Sequence, residues 1–190
     1  MSARDEILKN IRMRPRADAP RPPAYRAPSP ASDLVTAFAE KARAVDAEVL
    51  ILEHDDEVPA AIAELLRAKN MAARIHLPPG SDLALPFETL RTPPGPDDAA
   101  VTHAPFAIAE TGTVVQPSRA GAPASWHFRP GFEIAILRAQ DIVAHFEDLA
   151  LDPLSATVNL ITGPSRTGDI EQTLELGAHG PKALAVLIVK

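Results

Sequence analysis

The stretch Asn159-Leu-Ile-Thr-Gly-Pro-Ser-Arg-Thr-Gly-Asp-Ile-Glu171 reads as an apolar strand running into Gly163, with a helix starting near Thr167. A strand that gives way to a helix through a glycine turn is the repeating unit of an α/β sheet. The alternation continues on either side. Downstream, the helix spans 168–176 and ends at Gly177, where a left-handed cap is expected, before a last strand at 184–189. Upstream, residues 133–137 form a strand and 139–149 a helix. Residues 99–115 carry a strand, a short helix near 106–109 and a second strand at 113–115, ahead of a loop at 117–130 that holds Trp126. Nearer the start, Ser32 caps a helix with Val35, Phe38, Ala42 and Val45 on its apolar side, followed by a strand at 48–52. Asp55 or Asp56 caps the next helix, which aligns Val58, Ile62, Leu65 and Leu66, and a strand at 73–77 leads into a loop-rich stretch. Several strands are apolar without interruption, as in strands buried on both faces. The reading is an α/β fold with a mainly parallel sheet and helices on both faces.

Composition narrows the possibilities. The chain has 190 residues, 46% of them hydrophobic, enough for one core of good size. It contains no cysteine, so it can supply no disulfide, no thiolate nucleophile and no cysteine-ligated zinc or iron–sulfur cluster. No apolar run reaches the length of a membrane span, and the charged first ten residues do not read as a secretory signal, so a cytoplasmic protein is expected. The formal net charge is −6. Residues 1–30 hold seven basic and three acidic residues, against 12 and 22 in the remainder. An acidic body argues against nucleic acid as a partner, because neutralising phosphates needs a basic face. The basic N-terminal part is either a solvated tail or a contact for an acidic partner.

Three segments follow. Residues 1–14 form a helical arm with a stripe of Ile7, Leu8 and Ile11. Residues 15–30 contain six prolines and form an extended linker. Residues 31–190 are the α/β body.

The 159–171 stretch also carries the most chemistry. Ligands gather outside the carboxyl ends of strands in open α/β sheets, and a helix start favours an anion. Gly163 supplies the turn, Ser165 and Thr167 hydroxyls, and Arg166 a fork suited to carboxylate or phosphate; Asp169 and Glu171 can cap the helix or act as acid or base. The alternative is structural: Ser165 or Thr167 as a cap, and Arg166 paired with Asp169. The stretch fits neither the Walker pattern nor the dinucleotide fingerprint.

Residues 163–174, Gly-Pro-Ser-Arg-Thr-Gly-Asp-Ile-Glu-Gln-Thr-Leu, with Leu-Gly-Ala-His-Gly-Pro at 176–181, closely resemble the C-terminal signature of the lactate-utilization protein C family. Ala-Glu-Thr-Gly-Thr at 109–113 resembles that family's other motif, and Ser-Ala-Arg-Asp-Glu-Ile-Leu at 2–8 its N-terminal helix. The resemblance implies a fold similar to the sugar-phosphate isomerase and CoA-transferase superfamily. It also implies a part in oxidising L-lactate to pyruvate beside two iron–sulfur partner proteins, the clusters sitting in the partners and no cofactor in this chain. Two positions depart from the pattern: Gly168 stands where alanine is commoner, and Glu133 where a histidine is expected.

Other candidates cluster in the second motif. Glu110 can serve as a general base or nucleophile, with Thr111, Gly112 and Thr113 as ligand contacts, or it can be a carboxylate at the end of a turn. His179 can polarise a substrate oxygen or bind loop carbonyls. His103, His127 and His179 share no metal-ligand spacing, and no metal site is expected. Trp126 and Phe128 form either a lid or ordinary packing. Three functions stay open: a non-redox subunit of a lactate-oxidising system that binds a small carboxylate or phosphate, a free-standing acyl- or CoA-transferase or sugar-phosphate isomerase, and an interaction module. A homo-oligomer is compatible with all three.

Overall fold

A computed structural model describes residues 2–13, 31–151, 157–167, 175–176 and 180–190, with the side chains of 167, 175 and 176 left out. Helix α1 is Ala3–Met13, α2 Leu34–Ala44, α3 Val58–Ala68 and α4, a single turn, Ser125–Phe128. The strands are β1 Glu48–Leu52, β2 Arg74–His76, β3 Glu88–Leu90, β4 Ala99–Ala104, β5 Phe106–Ile108, β6 Thr113–Pro117, β7 Phe132–Arg138, β8 Ile142–Val143, β9 Val158–Ile161, β10 Arg166–Thr167, β11 Glu175–Leu176 and β12 Ala183–Val189.

Six strands form a parallel sheet in the order β1-β12-β7-β4-β2-β3. Its central strands alternate strictly between two cores. Ala135 and Leu137 of β7, with Leu184, Val186 and Ile188 of β12, face a core shared with α2 and with residues of β5, β6, β8 and β9. Ile134 and Ile136, with Ala185, Leu187 and Val189, face a second core shared with α3. The mainly parallel α/β sheet expected from the apolar runs is present. One face is covered by α3, the other by α2 together with a smaller sheet, β8-β5-β6-β9.

That smaller sheet corrects three sequence expectations. Residues 106–109 do not form a helix: Phe106–Ile108 is a strand antiparallel to β6, turned back through Gly112 at φ 67°. The helix expected at 139–149 is replaced by 3₁₀ turns at Ala139–Asp141 and Phe146–Asp148 on either side of β8. The β-branched pair Ile142–Val143 gains backbone partners in β5, and Asp148 turns its carboxylate back to the His145 N–H at 3.0 Å, a capping bond that favours one tight turn. Strand β9 pairs antiparallel with β6 and lies outside the parallel sheet.

Helix starts differ in detail. Asp33, not Ser32, caps α2, accepting the Thr36 N–H at 3.1 Å and its hydroxyl at 2.6 Å. A 3₁₀ turn at Asp55–Glu57 precedes α3, and the Glu57 carboxylate accepts the His54 N–H at 2.8 Å. In α1 no residue is buried, and Ile7 and Ile11 are exposed. The proline-rich segment 15–30 lies outside the described residues. No helix among the described residues is long and apolar enough to cross a membrane.

Candidate functional site

The two motif loops meet at one place, the carboxyl end of α2. Gly112 packs so closely there that a Cβ would lie 2.3 Å from the Ala42 nitrogen. Gly163, at φ 73°, packs on the next turn, where a Cβ would lie 2.2 Å from the Val45 carbonyl oxygen. Both glycines therefore serve close approach as well as a positive φ. A run of hydroxyls joins the loops: Thr111 Oγ1 is 2.6 Å from Thr113 Oγ1, which is 2.7 Å from Thr162 Oγ1. Thr113 is buried in the middle of this run. The two motifs, some fifty residues apart in sequence, thus form one structural unit.

Beside that unit lies a cavity of about 530 Å³, within the range of small-molecule sites. Thr162, Gly163, Ser165 and Arg166 line it on one side, and Val45, Phe128 and Leu160 supply apolar wall. His127 also lines it. Phe128 is exposed here, whereas Trp126 is buried as ordinary packing.

The electrostatics differ from the sequence reading. The helix expected to begin near Thr167 does not begin there: Arg166–Thr167 is a strand paired antiparallel with Glu175–Leu176, which were also expected to be helical. Backbone pairing at these residues replaces the helical bonds, and the described helix that meets the loop, α2, does so at its carboxyl end rather than at an N-terminus. Residues 168–174, with Asp169 and Glu171, lie outside the described residues, as do Gly177 and His179. The Ser165 N–H donates to the Pro181 carbonyl at 2.8 Å. Arg166 forms an ion pair with Asp46, just past α2. Both side chains are largely solvent-exposed, a setting in which a pair contributes at most about 1 kcal/mol and can be surrendered to a ligand.

The position relative to the sheet differs as well. Val45 precedes β1, Phe128 precedes β7 and Pro181 precedes β12, so the cavity lies toward the amino ends of these parallel strands. The carboxyl-end rule invoked for this loop does not apply, because β9 belongs to the antiparallel sheet.

Glu110 does not line the cavity. Its Oε2 is 3.1 Å from His145 Nδ1, and its backbone N–H donates to the Ala144 carbonyl at 3.1 Å. No group of three or more His, Asp or Glu side chains among the described residues is arranged to hold a metal ion.

A second cluster was not anticipated. Glu133 is fully buried, and its Oε1 accepts from His127 Nδ1 at 2.7 Å and from the Thr102 hydroxyl at 3.0 Å. Thr102 in turn accepts from Gln116 Nε2 at 3.1 Å. This network lies between the two sheets: β4 and β7 supply Thr102 and Glu133, β6 supplies Gln116, and α4 supplies His127. The signal in the sequence was a charged residue inside an otherwise apolar strand, Phe132 to Leu137, where burial demands a partner.

The LUD domain family matches residues 96–189, which hold both motif loops and the buried network. A lactate utilization protein C from Halalkalibacterium halodurans is 32% identical over 102 residues, covering 49% of this chain. The chain spans only 44% of that protein's length. A lactate utilization protein C from Deinococcus radiodurans is 31% identical over 150 residues, covering 70% of this chain and 69% of its own length. The crystal structure of a DUF162 family protein from Deinococcus radiodurans superposes with a TM-score of 0.63 at 23% identity, covering 86% of this chain and 100% of that one. With a shared sheet and with 31% identity over more than two thirds of the second relative, the chain belongs to the LUD-domain family that includes the lactate utilization C proteins.

Proposed function

We propose that this protein is a component of an L-lactate utilization system and binds a small anionic ligand, a carboxylate or a phosphate, at the loop that starts at Gly163. The observation that carries the binding site is the 530 Å³ cavity with Thr162, Ser165 and Arg166 on its wall. The role in lactate use is supported by the family and by the names of its members. Arg166 is the cationic anchor, released from Asp46 when a ligand arrives. Thr111, Gly112 and Thr113 act behind the loop and hold it in shape through Thr162. Oxidation of lactate needs an electron acceptor. With no cysteine here to ligate a cluster, iron–sulfur partner proteins supply it, and this chain contributes a non-redox part.

A strain lacking this gene tests the physiological half of the reading. It should grow slowly on L-lactate as sole carbon source and normally on pyruvate, with growth on lactate restored by the intact gene. Equal growth on both carbon sources would remove the protein from lactate use.

A further inference from the structure

His127 borders two cavities. Besides the one above, it lines a smaller space of about 190 Å³. That volume is below the range of drug-sized ligands and suits a molecule of a few heavy atoms. The space opens where the chain leaves β2 through Pro78–Asp82, and beside Thr102 and His103 near the carboxyl end of β4. β2 and β4 are neighbours in the sheet; the chain leaves β2 for the edge strand β3 and leaves β4 for β5 of the smaller sheet. The carboxyl ends of parallel strands are where such sheets gather ligands.

The wall is assembled with care. Gly80 and Gly121 touch where two loops cross: the Gly80 N–H donates to the Gly121 carbonyl at 2.8 Å, and a Cβ on Gly80 would lie 2.8 Å from the Gly121 Cα. The crossing brings Arg119 to the space, and its guanidinium makes no ion pair or hydrogen bond among the described residues. Asp82 is the one acidic residue in the wall. Burial holds the His103 imidazole below its ordinary value, with Asp82 acting in the opposite sense.

The decisive group is His127. It is 1% exposed. Glu133 Oε1 already accepts the Thr102 hydroxyl and takes the hydrogen of His127 Nδ1, so Nε2 is the ring's remaining polar atom. That Nε2 is buried and has no hydrogen-bond partner, as is Glu133 Oε2. A buried polar atom without a partner costs stability, and a ligand oxygen would repair it.

We propose that this smaller cavity is a second binding site, for a small carboxylate with a hydroxyl or oxo group beside the carboxyl. Arg119 takes the carboxylate. With Nδ1–H held by Glu133, His127 Nε2 accepts from a neighbouring hydroxyl, and it donates to an oxo group when the ring carries both protons beside the Glu133 carboxylate. The site shares His127 with the Arg166 cavity but has its own cationic anchor, Arg119.

Isothermal titration of the full chain with L-lactate, pyruvate and acetate, paired with nitrogen-15 spectra of its histidines, tests this. Lactate or pyruvate should bind more tightly than acetate and should shift one histidine Nε2 resonance, the one absent from His127→Asn. Asparagine keeps a donor near the Nδ1 position for Glu133 and removes Nε2. Affinity should fall about tenfold or more in His127→Asn and in Arg119→Ala, as expected for loss of a charged or buried hydrogen bond, and stay unchanged in Arg166→Ala. Should His127→Asn fail to fold, Arg119→Ala, a change at an exposed side chain, carries the test. Binding of none of the three acids, undiminished affinity in Arg119→Ala, or loss only in Arg166→Ala would overturn the proposal.

Discussion

Gly112 shows how a motif residue can be explained before any ligand is considered. Its φ of 67° is costly for a residue with a side chain, and a Cβ there would enter the backbone of α2 at Lys41 and Ala42. The turn cannot shift away from α2 without disturbing the Thr113–Thr162 bond beside it. Gly112→Ala should therefore destabilise the body by about 3 kcal/mol or more, at the upper end of single substitutions. Chemical denaturation would check it, and a loss under 1 kcal/mol would mean that α2 is free to shift. The glycines and hydroxyls of both motifs were legible in the sequence as residues of note. Their shared contact with α2 was not, because nothing local in either motif announces a helix more than sixty residues away. Arg166 was legible as a charged fork, but its partner Asp46 lies in a loop before the first strand, far along the chain, whereas the local pattern offers the nearer Asp169. Glu133 stands out as a charge inside an apolar strand and as a departure from a family pattern, whereas its pairing with His127 depends on α4, a single turn hidden in a stretch with no period long enough to read.

The elements most clearly written in the sequence were the long apolar ones. β7 and β12 have seven residues each with unbroken runs of buried side chains, and α3 carries its stripe at helical spacing. The failures were short segments in which tertiary pairing overrode local preference. Residues 139–149 offer apolar side chains at helical intervals, but β8 needs only two residues to extend the smaller sheet, and the capping bond of His145 and Asp148 closes the turn after it. The amphipathic α1 is a further case. Its stripe is plain in the sequence, and in the structure none of its residues is buried. An element that buries nothing contributes little to the stability of the body. Deleting residues 1–30 should leave the melting temperature of the remainder within about 2 °C, no more than the shift that about 1 kcal/mol produces in a domain of this size. Differential scanning calorimetry would show it, and a drop of 5 °C or more would mean that α1 docks on the body.

At the scale of the whole molecule, the parallel sheet carries two different edges of chemistry on the face covered by α2 and the smaller sheet. The larger cavity lies toward the amino ends of β1, β7 and β12, where the Gly163 loop and α2 meet. The smaller one lies toward the carboxyl ends of β2 and β4. The buried Gln116–Thr102–Glu133–His127 network ties the two sheets together between them. The fold class followed from the sequence because parallel strands buried on both faces leave an unmistakable composition. The location of the larger cavity did not, because it depends on which sheet β9 joins. An antiparallel partner for β9 carries the Gly163 loop to the opposite end of the parallel sheet from the one a simple strand-then-helix unit would give.

The claim that an anion binds beside Gly163, with Arg166 as its anchor, is tested most directly by isothermal titration of the wild-type chain and of Arg166→Ala with phosphate, L-lactate, pyruvate and coenzyme A. At least one of these should bind the wild type and lose about tenfold or more in affinity in Arg166→Ala, the equivalent of one charge-assisted hydrogen bond of roughly 1.5–3 kcal/mol. If Arg166→Ala binds every one of them as the wild type does, the loop is a structural joint on α2 and the account of its function is wrong.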